Sequence, residues 1–234
     1  MNRILFERGE IENGVARIGD ARAAHIIDVL GGEAGQELKV GVVDGNIGTG
    51  RILSVAGGRV EVAIEDGRES PAPWFDLVLA PPRPRVFKRI LPQLAALGLR
   101  RLTLTGAQKV EKDFWGATIL KPENYRPLLI EGLQQAGTSI LPEIAVERSF
   151  RRLLTRLDAA EGLKIVAHPY GSSACVPAPA PGRIVTFAVG PEGGWTEPEV
   201  EALEAKGFLR LSLGCRILRT DTALVALVAK FMQS

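Results

Sequence analysis

The chain has 234 residues, of which 46% are hydrophobic and 24% are charged. This balance excludes a disordered or fibrous chain, and the length allows one large domain or two modest ones. The net charge of +2 neither requires nor excludes nucleic acid, because a local basic patch can supply the attraction.

Cysteine, histidine and hydropathy patterns exclude further classes. Cys175 and Cys215 have no CxxC spacing, which argues against a disulfide framework and favours a reducing compartment. His25 and His168 lie far apart, so no His/Cys cluster predicts a zinc site. The N-terminal residues have no apolar segment of the secretory type, and no uncharged apolar stretch is long enough to span a membrane. We therefore expect a cytoplasmic protein with no metal and no membrane partner.

Residues 1–68 carry β-strand signals at close spacing, which predicts a small barrel. One helix is expected at Asp20–Leu30, with Ile26 and Leu30 on its apolar face. Residues 69–74 contain two prolines and indicate a linker. The predicted strands and turns are Leu38–Val43, Arg51–Val55, Arg59–Ile64, Gly57-Gly58 and Asp66-Gly67.

From residue 75 to residue 234 strand and helix patterns alternate, which predicts an α/β domain with a mostly parallel sheet. The apolar runs are nearly continuous, as expected for strands covered on both faces. The predicted strands are Phe75–Ala80, Arg101–Thr105, Leu163–Ala167 and Arg183–Val189. The predicted helices are Arg85–Gly98, Glu123–Ala136, Thr196–Lys206 and Thr220–Met232.

A glycine-rich stretch, V-G-P-E-G-G-W-T, joins a predicted strand to a helix at residues 189–196. Thr196 and Glu199 have the spacing of a helix capping box. The stretch lacks the lysine and the hydroxyl residue of a P-loop, so phosphate binding is disfavoured. The residues alone leave two alternatives open, a ligand-binding loop and a tight structural turn.

Two further loops follow predicted strands in the same way. Residues 211–223 read L-S-L-G-C-R-I-L-R-T-D-T-A, which taken alone also fits a capped helix with two solvated arginines. Residues 166–171 read V-A-H-P-Y-G, and His168 taken alone fits a packed or surface histidine. The three loops, 167–171, 189–195 and 212–220, are expected to converge because each follows the end of a strand.

Together, G-P-E-G-G and L-G-x-R-I-L-R-T-D-T-A closely resemble the RsmE group of the SPOUT methyltransferases. The resemblance implies an α/β domain with a deep C-terminal trefoil knot, preceded by a PUA-like RNA-binding barrel. It also implies a homodimer that uses S-adenosylmethionine (SAM) to methylate N3 of a uridine in 16S ribosomal RNA of the small subunit.

The resemblance further implies which residues act. Arg219 would stabilise negative charge on the uracil, and Arg216 would do the same or hold a phosphate. Asp221 would accept a proton, orient Arg219 or the methionyl amine, or cap the last helix. The cofactor would be surrounded by Ala167, His168, Pro169, Val189, Gly190, Pro191, Glu192, Gly193, Gly194, Ser212, Leu213, Gly214, Ile217, Leu218 and Thr222.

On the substrate side we expect RNA contacts from Arg3, His25, Arg83, Arg85, Lys88, Arg89 and Lys109. The chain departs from the family here, because charged family positions are neutral at Gln93, Ala96, Gln108, Gln134 and Thr138. Phosphate contacts dominate RNA affinity, so the loss of charge at these positions affects which RNA the protein is expected to methylate. Two alternatives stay open: a divergent methyltransferase with another RNA substrate, and a non-enzymatic RNA-binding or ribosome-assembly protein.

Overall fold

The structure, a computed structural model, describes residues 3–157, 162–170 and 176–232. Gly171 and Cys175, which the sequence analysis named, lie outside the described residues. The chain divides into two compact units, one of Met1–Ala72 with Ile130–Leu141 and one of Pro73–Leu129 with Pro142–Ser234. No helix among the described residues is long and apolar enough to cross a membrane.

The first unit contains one six-stranded sheet in the order β1-β4-β5-β6-β3-β2. Only β1 and β4 pair in parallel, and the other neighbours are antiparallel. Phe6, Ile26 and Val62 are completely buried in its core. The strands are β1 (Ile4–Phe6), β2 (Ile11–Glu12), β3 (Val15–Ile18), β4 (Glu37–Val42), β5 (Ile47–Ala56) and β6 (Arg59–Arg68).

The two predicted turns in this unit have different outcomes. Gly57 and Gly58 both have positive φ and connect β5 to β6, as a tight hairpin requires. The turn predicted at Asp66-Gly67 is wrong, because both residues lie within β6. A Cβ on Gly67 would come within 2.6 Å of the Ile47 carbonyl oxygen, so this glycine permits a close strand approach instead.

The helix predicted at Asp20–Leu30 is only partly correct. An α-helix covers Ala21–Ala24 (α1), with the Asp20 carboxylate accepting the Arg22 N–H, and a π-helical turn covers His25–Val29. The wider turn rotates the residues that follow it, so the 3.6-residue period no longer holds. Ile26 is buried as expected, but Leu30 is exposed.

The second unit contains a six-stranded sheet in the order β12-β10-β11-β7-β8-β9, and every pair is parallel. The predicted parallel α/β arrangement is confirmed. The strands are β7 (Phe75–Leu79), β8 (Leu99–Thr105), β9 (Glu143–Glu147), β10 (Leu163–Ala167), β11 (Val185–Val189) and β12 (Leu209–Leu211). The helices are α2 (Pro84–Ala96), α3 (Pro122–Ala136), α4 (Phe150–Arg156), α5 (Glu197–Glu204) and α6 (Thr220–Phe231).

The α/β pattern did not predict β9 or α4. Two of the five β9 residues are acidic, and the strand lies at the edge of the sheet, where hydrophobic runs are not required. Helix α4 has only seven residues, too few for a clear apolar period. Helix α3 begins in the second unit, and its last turns are counted with the first.

Candidate active site

A cavity of about 250 Å³ lies where β10, β11 and β12 end. These three strands are neighbours in the sheet, so the loops that follow them meet at one edge. The His168 N–H donates to the Leu211 carbonyl oxygen at 3.0 Å, which joins the first loop to β12. We name residues 189–195 the glycine loop and residues 212–219 the arginine loop.

Most of the residues expected around a cofactor line this cavity. They are Ala167, His168, Pro169, Val189, Gly190, Pro191, Glu192, Gly193, Gly194, Leu213, Gly214, Ile217 and Leu218. Ser212 and Thr222 do not line it; Ser212 instead supports the wall, with its Oγ 3.3 Å from the Gly214 N–H. Four further residues line the cavity although the sequence patterns did not predict them, namely Tyr170, Leu211, Thr220 and Ala223. Thr220 and Ala223 are three residues apart in α6, so helical spacing was the available signal.

The glycine loop is tightly constrained. A Cβ on Gly190 would lie 2.6 Å from the Trp195 nitrogen and 2.9 Å from the Gly194 carbonyl carbon, so the backbone leaves no room for a side chain. Gly194 has φ +66, a conformation that favours glycine. Trp195 is buried under the loop and belongs to the core of the second unit.

Hydrogen bonds from neighbouring segments fix the same loop. Glu192 accepts the Arg83 N–H at 2.9 Å, and Lys109 donates to the Gly193 carbonyl oxygen at 2.8 Å. The predicted capping box is confirmed, because the Thr196 N–H donates to the Glu199 carboxylate at 2.8 Å. This wall of the cavity is therefore preformed.

His168 is a buried polar residue in the cavity wall. Its Nδ1 is buried and has no hydrogen-bond partner within the part of the chain that the structure describes. Burial lowers the pKa of His168, and Arg210 lowers it further, against the opposing charge of Glu197. The imidazole is therefore neutral near pH 7.

The residues expected to act in catalysis lie around the start of α6. Arg216 lines the cavity. Arg219 does not; its side chain is 70% exposed, and its Nε lies 3.4 Å from the Asp221 carboxylate. Asp221 also forms an ion pair with Arg89 of α2. One carboxylate thus holds two guanidinium groups at the edge of the cavity.

Asp221 is a poor proton acceptor in this arrangement. Burial by itself raises the pKa of the carboxyl group, but the net shift is downward. The Thr222 N–H, Arg219 and Arg89 outweigh burial because they stabilise the ionised form. The N-cap position belongs to Arg219, so Asp221 bonds to an N–H of the first helical turn without being the cap residue.

Comparison with known proteins agrees with this geometry. The RNA methyltransferase domain family matches residues 68–232. Ribosomal RNA small subunit methyltransferase E of Treponema pallidum is 33% identical, over 98% of this chain and 90% of that protein. The chain belongs to the ribosomal RNA small subunit methyltransferase E family. The resemblance to the RsmE group is therefore confirmed.

Two solved structures extend the comparison with the methyltransferase E family. A protein from Legionella pneumophila in complex with SAM is 26% identical, with a TM-score of 0.76, over 98% of this chain and 96% of that one. Ribosomal RNA small subunit methyltransferase E from Neisseria gonorrhoeae bound to SAM is 22% identical, with the same TM-score and the same shares. The second likeness is one of fold alone.

Several residues expected to contact RNA have partners inside the protein. Arg83 pairs with Glu111 at 3.0 Å, Arg89 pairs with Asp221, and Lys109 holds the glycine loop. By contrast, Arg85 and Lys88 lie on the exposed side of α2, and no carboxylate of the described residues pairs with them.

In the first unit, Arg3 donates to the carbonyl oxygens of Gly137, Val40 and Gly48. The sequence suggested that Arg3 is free to contact an RNA phosphate, but most of its guanidinium donors already bind backbone carbonyl oxygens. His25 lies in the π-helical turn, and its Nε2 is buried without a partner among the described residues. Within the described residues no cluster of His, Cys, Asp and Glu could hold a metal ion.

Proposed function

We propose that this protein is a SAM-dependent methyltransferase that methylates N3 of a uridine in 16S ribosomal RNA, in the cytoplasm. The observation that carries the proposal is the cavity at the ends of β10, β11 and β12, in a chain that matches the methyltransferase E family over almost its whole length. The Legionella relative, which binds SAM on the same fold, supports the choice of cofactor.

The chemistry of the residues that line the cavity suits SAM. Ile217 and Leu218 offer apolar surface to the adenine ring, and the glycine loop allows its edge to reach backbone groups. When bound, SAM supplies a methyl group activated by its sulfonium.

The arginine loop and α6 supply the groups for the transfer. Transfer of the methyl group from the sulfonium to N3 would leave S-adenosylhomocysteine and release the N3 proton to water. Arg219 and Arg216 stabilise the negative charge that develops on the uracil oxygens. Asp221, ionised because of its low pKa, orients Arg219 rather than taking the proton. Proximity of the two substrates contributes much of the remaining rate.

The finer architecture is also part of the proposal. We infer a trefoil knot in the segment of β10, β11 and β12, a PUA-like barrel over residues 1–68, a linker over 69–74 and the methyltransferase domain over 75–234. The strand order β12-β10-β11, in which the last strand lies beside β10 and not beside β11, supports the proposal.

We further infer a homodimer. Ile217 is 76% exposed, and Val225 and Met232 also expose apolar surface along α6 and beside the cavity. The opposite face of α6, with Leu224, Leu227 and Val228, is buried, so the exposed residues are not needed for the core. A partner subunit would cover them.

The neutral residues at charged family positions favour a second candidate, a methyltransferase with a different RNA substrate. Gln134 is buried, and Gln108 is exposed. Neither carries the charge that a phosphate contact or its supporting ion pair would require.

One experiment separates the two candidates. The purified protein and SAM would be incubated with small ribosomal subunits from a strain that lacks the gene, and nucleosides would be identified by mass spectrometry. We expect 3-methyluridine to appear in the small-subunit RNA. Binding of SAM without any methylation of these subunits, together with loss of a methylated nucleoside elsewhere in the deletion strain, would favour the second candidate.

A further inference from the structure

A second cavity, of about 370 Å³, lies within the first unit. Its walls come from β4, β5, β6 and residues 135–138, at the C-terminal end of α3. The lining residues are Arg3, Lys39, Ile47, Arg68, Pro71 and the segment 135–138. Three of them are cations, and none is acidic.

These three cations lack the neutralising partners that three other arginines of the same unit have. Arg17, Arg22 and Arg51 each pair with two carboxylates. No described carboxylate lies within ion-pairing distance of a cavity cation, as the salt bridges of the described residues show. Positive charges gathered without a counter-charge repel one another, and an anion among them relieves that repulsion.

Arg3 is fixed at this site. Its Nη1 donates to the Val40 and Gly48 carbonyl oxygens at 2.6 and 2.9 Å, and its Nε donates to Gly137 at 3.1 Å. Burial, followed by the nearby charge of Arg68, lowers the pKa of Arg3, which is the expected effect of an uncompensated positive environment. Lys39 and Arg68, by contrast, are exposed.

We propose that this cavity binds a phosphate group of the substrate RNA backbone, with Lys39 and Arg68 as direct contacts and Arg3 as a fixed positive charge. The inference rests on the proposed function, because it takes RNA as the substrate. Contacts of this kind position an RNA without reading its sequence. A free phosphate or a mononucleotide presents the same chemistry, so the test includes both.

The test uses the full chain and a fragment of small-subunit ribosomal RNA. The double variant Lys39→Gln/Arg68→Gln would be compared with the wild type by fluorescence anisotropy at several salt concentrations. We expect affinity to fall about tenfold near 0.15 M salt, and the slope of log affinity against log salt to decrease by about 1.5. The matched control is Arg59→Gln, at the other end of β6, which should bind RNA within about twofold of wild type.

Equal affinity and equal salt slope in the double variant and in the control would overturn the inference. Calorimetry with inorganic phosphate and with uridine monophosphate gives the second arm. Saturable micromolar binding of either anion that the double variant loses would overturn RNA as the source of the phosphate. Both measurements report binding and do not need methyl transfer. If the protein methylated no RNA, the proposed function would be refuted. The phosphate site would still stand if the double variant weakened salt-dependent RNA binding.

Discussion

The two main walls of the methyltransferase cavity are built in opposite ways. The glycine loop is fixed by backbone contacts, by Glu192, by Lys109 and by the buried Trp195. The arginine loop carries exposed side chains, with Ile217 76% and Arg219 70% exposed. A preformed wall lowers the cost of binding a cofactor, whereas an exposed wall can reach a large second substrate. Under the proposed function, the glycine loop binds the cofactor and the arginine loop presents charge to the RNA.

The largest expected effect comes from removing the charge of the arginine loop. Arg219→Ala should lower the rate of methyl transfer by about 100-fold or more, because one donor to the developing negative charge is lost. SAM affinity, measured by calorimetry, should stay within about twofold, since Arg219 does not line the cavity. Full activity in this variant would reject the assigned role.

The second-largest effect is expected from a substitution in the glycine loop. Gly190→Ala should destabilise the fold by about 1–3 kcal/mol and weaken SAM binding at least tenfold, because the new Cβ meets only backbone atoms. Thermal unfolding and calorimetry measure the two changes. The matched control is Gly116→Ala, outside the cavity, where φ is not in the left-handed region and no atom of the described residues lies within 4 Å of the new Cβ. If both variants bound SAM equally, the assignment of a rigid glycine loop would be wrong.

A smaller effect is expected at Asp221, the carboxylate that pairs with both Arg219 and Arg89. Asp221→Asn should lower the rate of methyl transfer about tenfold, because Arg219 and Arg89 lose their common partner. Arg89→Lys, which keeps the charge, is the control and should retain most of the activity.

The pKa of Asp221 gives the same variant a pH signature. Because the folded-state pKa lies below the ordinary value of 3.8, the stabilisation is fully present above that pH. It is lost as the pH falls through the folded-state pKa. The difference in Tm between wild type and Asp221→Asn should therefore shrink in acid, and a difference that grows there would contradict the assignment.

The smallest effect is expected at Gly193. A Cβ there would lie 2.9 Å from Cδ of Lys109, which is part of a flexible side chain that can move aside. Gly193→Ala should therefore change SAM affinity less than about threefold, because the Lys109 side chain can move away from the new methyl group. A loss as large as that of Gly190→Ala would show that Lys109 is held rigidly.

Sequence reasoning worked best where the information was local. The spacing of Thr196 and Glu199 predicted a capping box, and the alternation of strand and helix patterns predicted a parallel sheet. Prediction from the sequence failed where the tertiary structure changed the local conformation that the pattern indicated. Leu30 is exposed because a π-helical turn interrupts the expected period, and Gly67 serves a strand approach instead of a turn.

The sequence by itself determined the family, the parallel α/β arrangement and the three loops that form the cavity, because motifs and hydrophobic periods are properties of neighbouring residues. The tertiary structure alone decided which groups meet. It paired Asp221 with Arg89, 132 positions away, buried Nδ1 of His168 without a partner among the described residues, and gathered Arg3, Lys39 and Arg68 in one cavity. Charges far apart in the chain interact only after folding brings them together, and no local pattern records that distance.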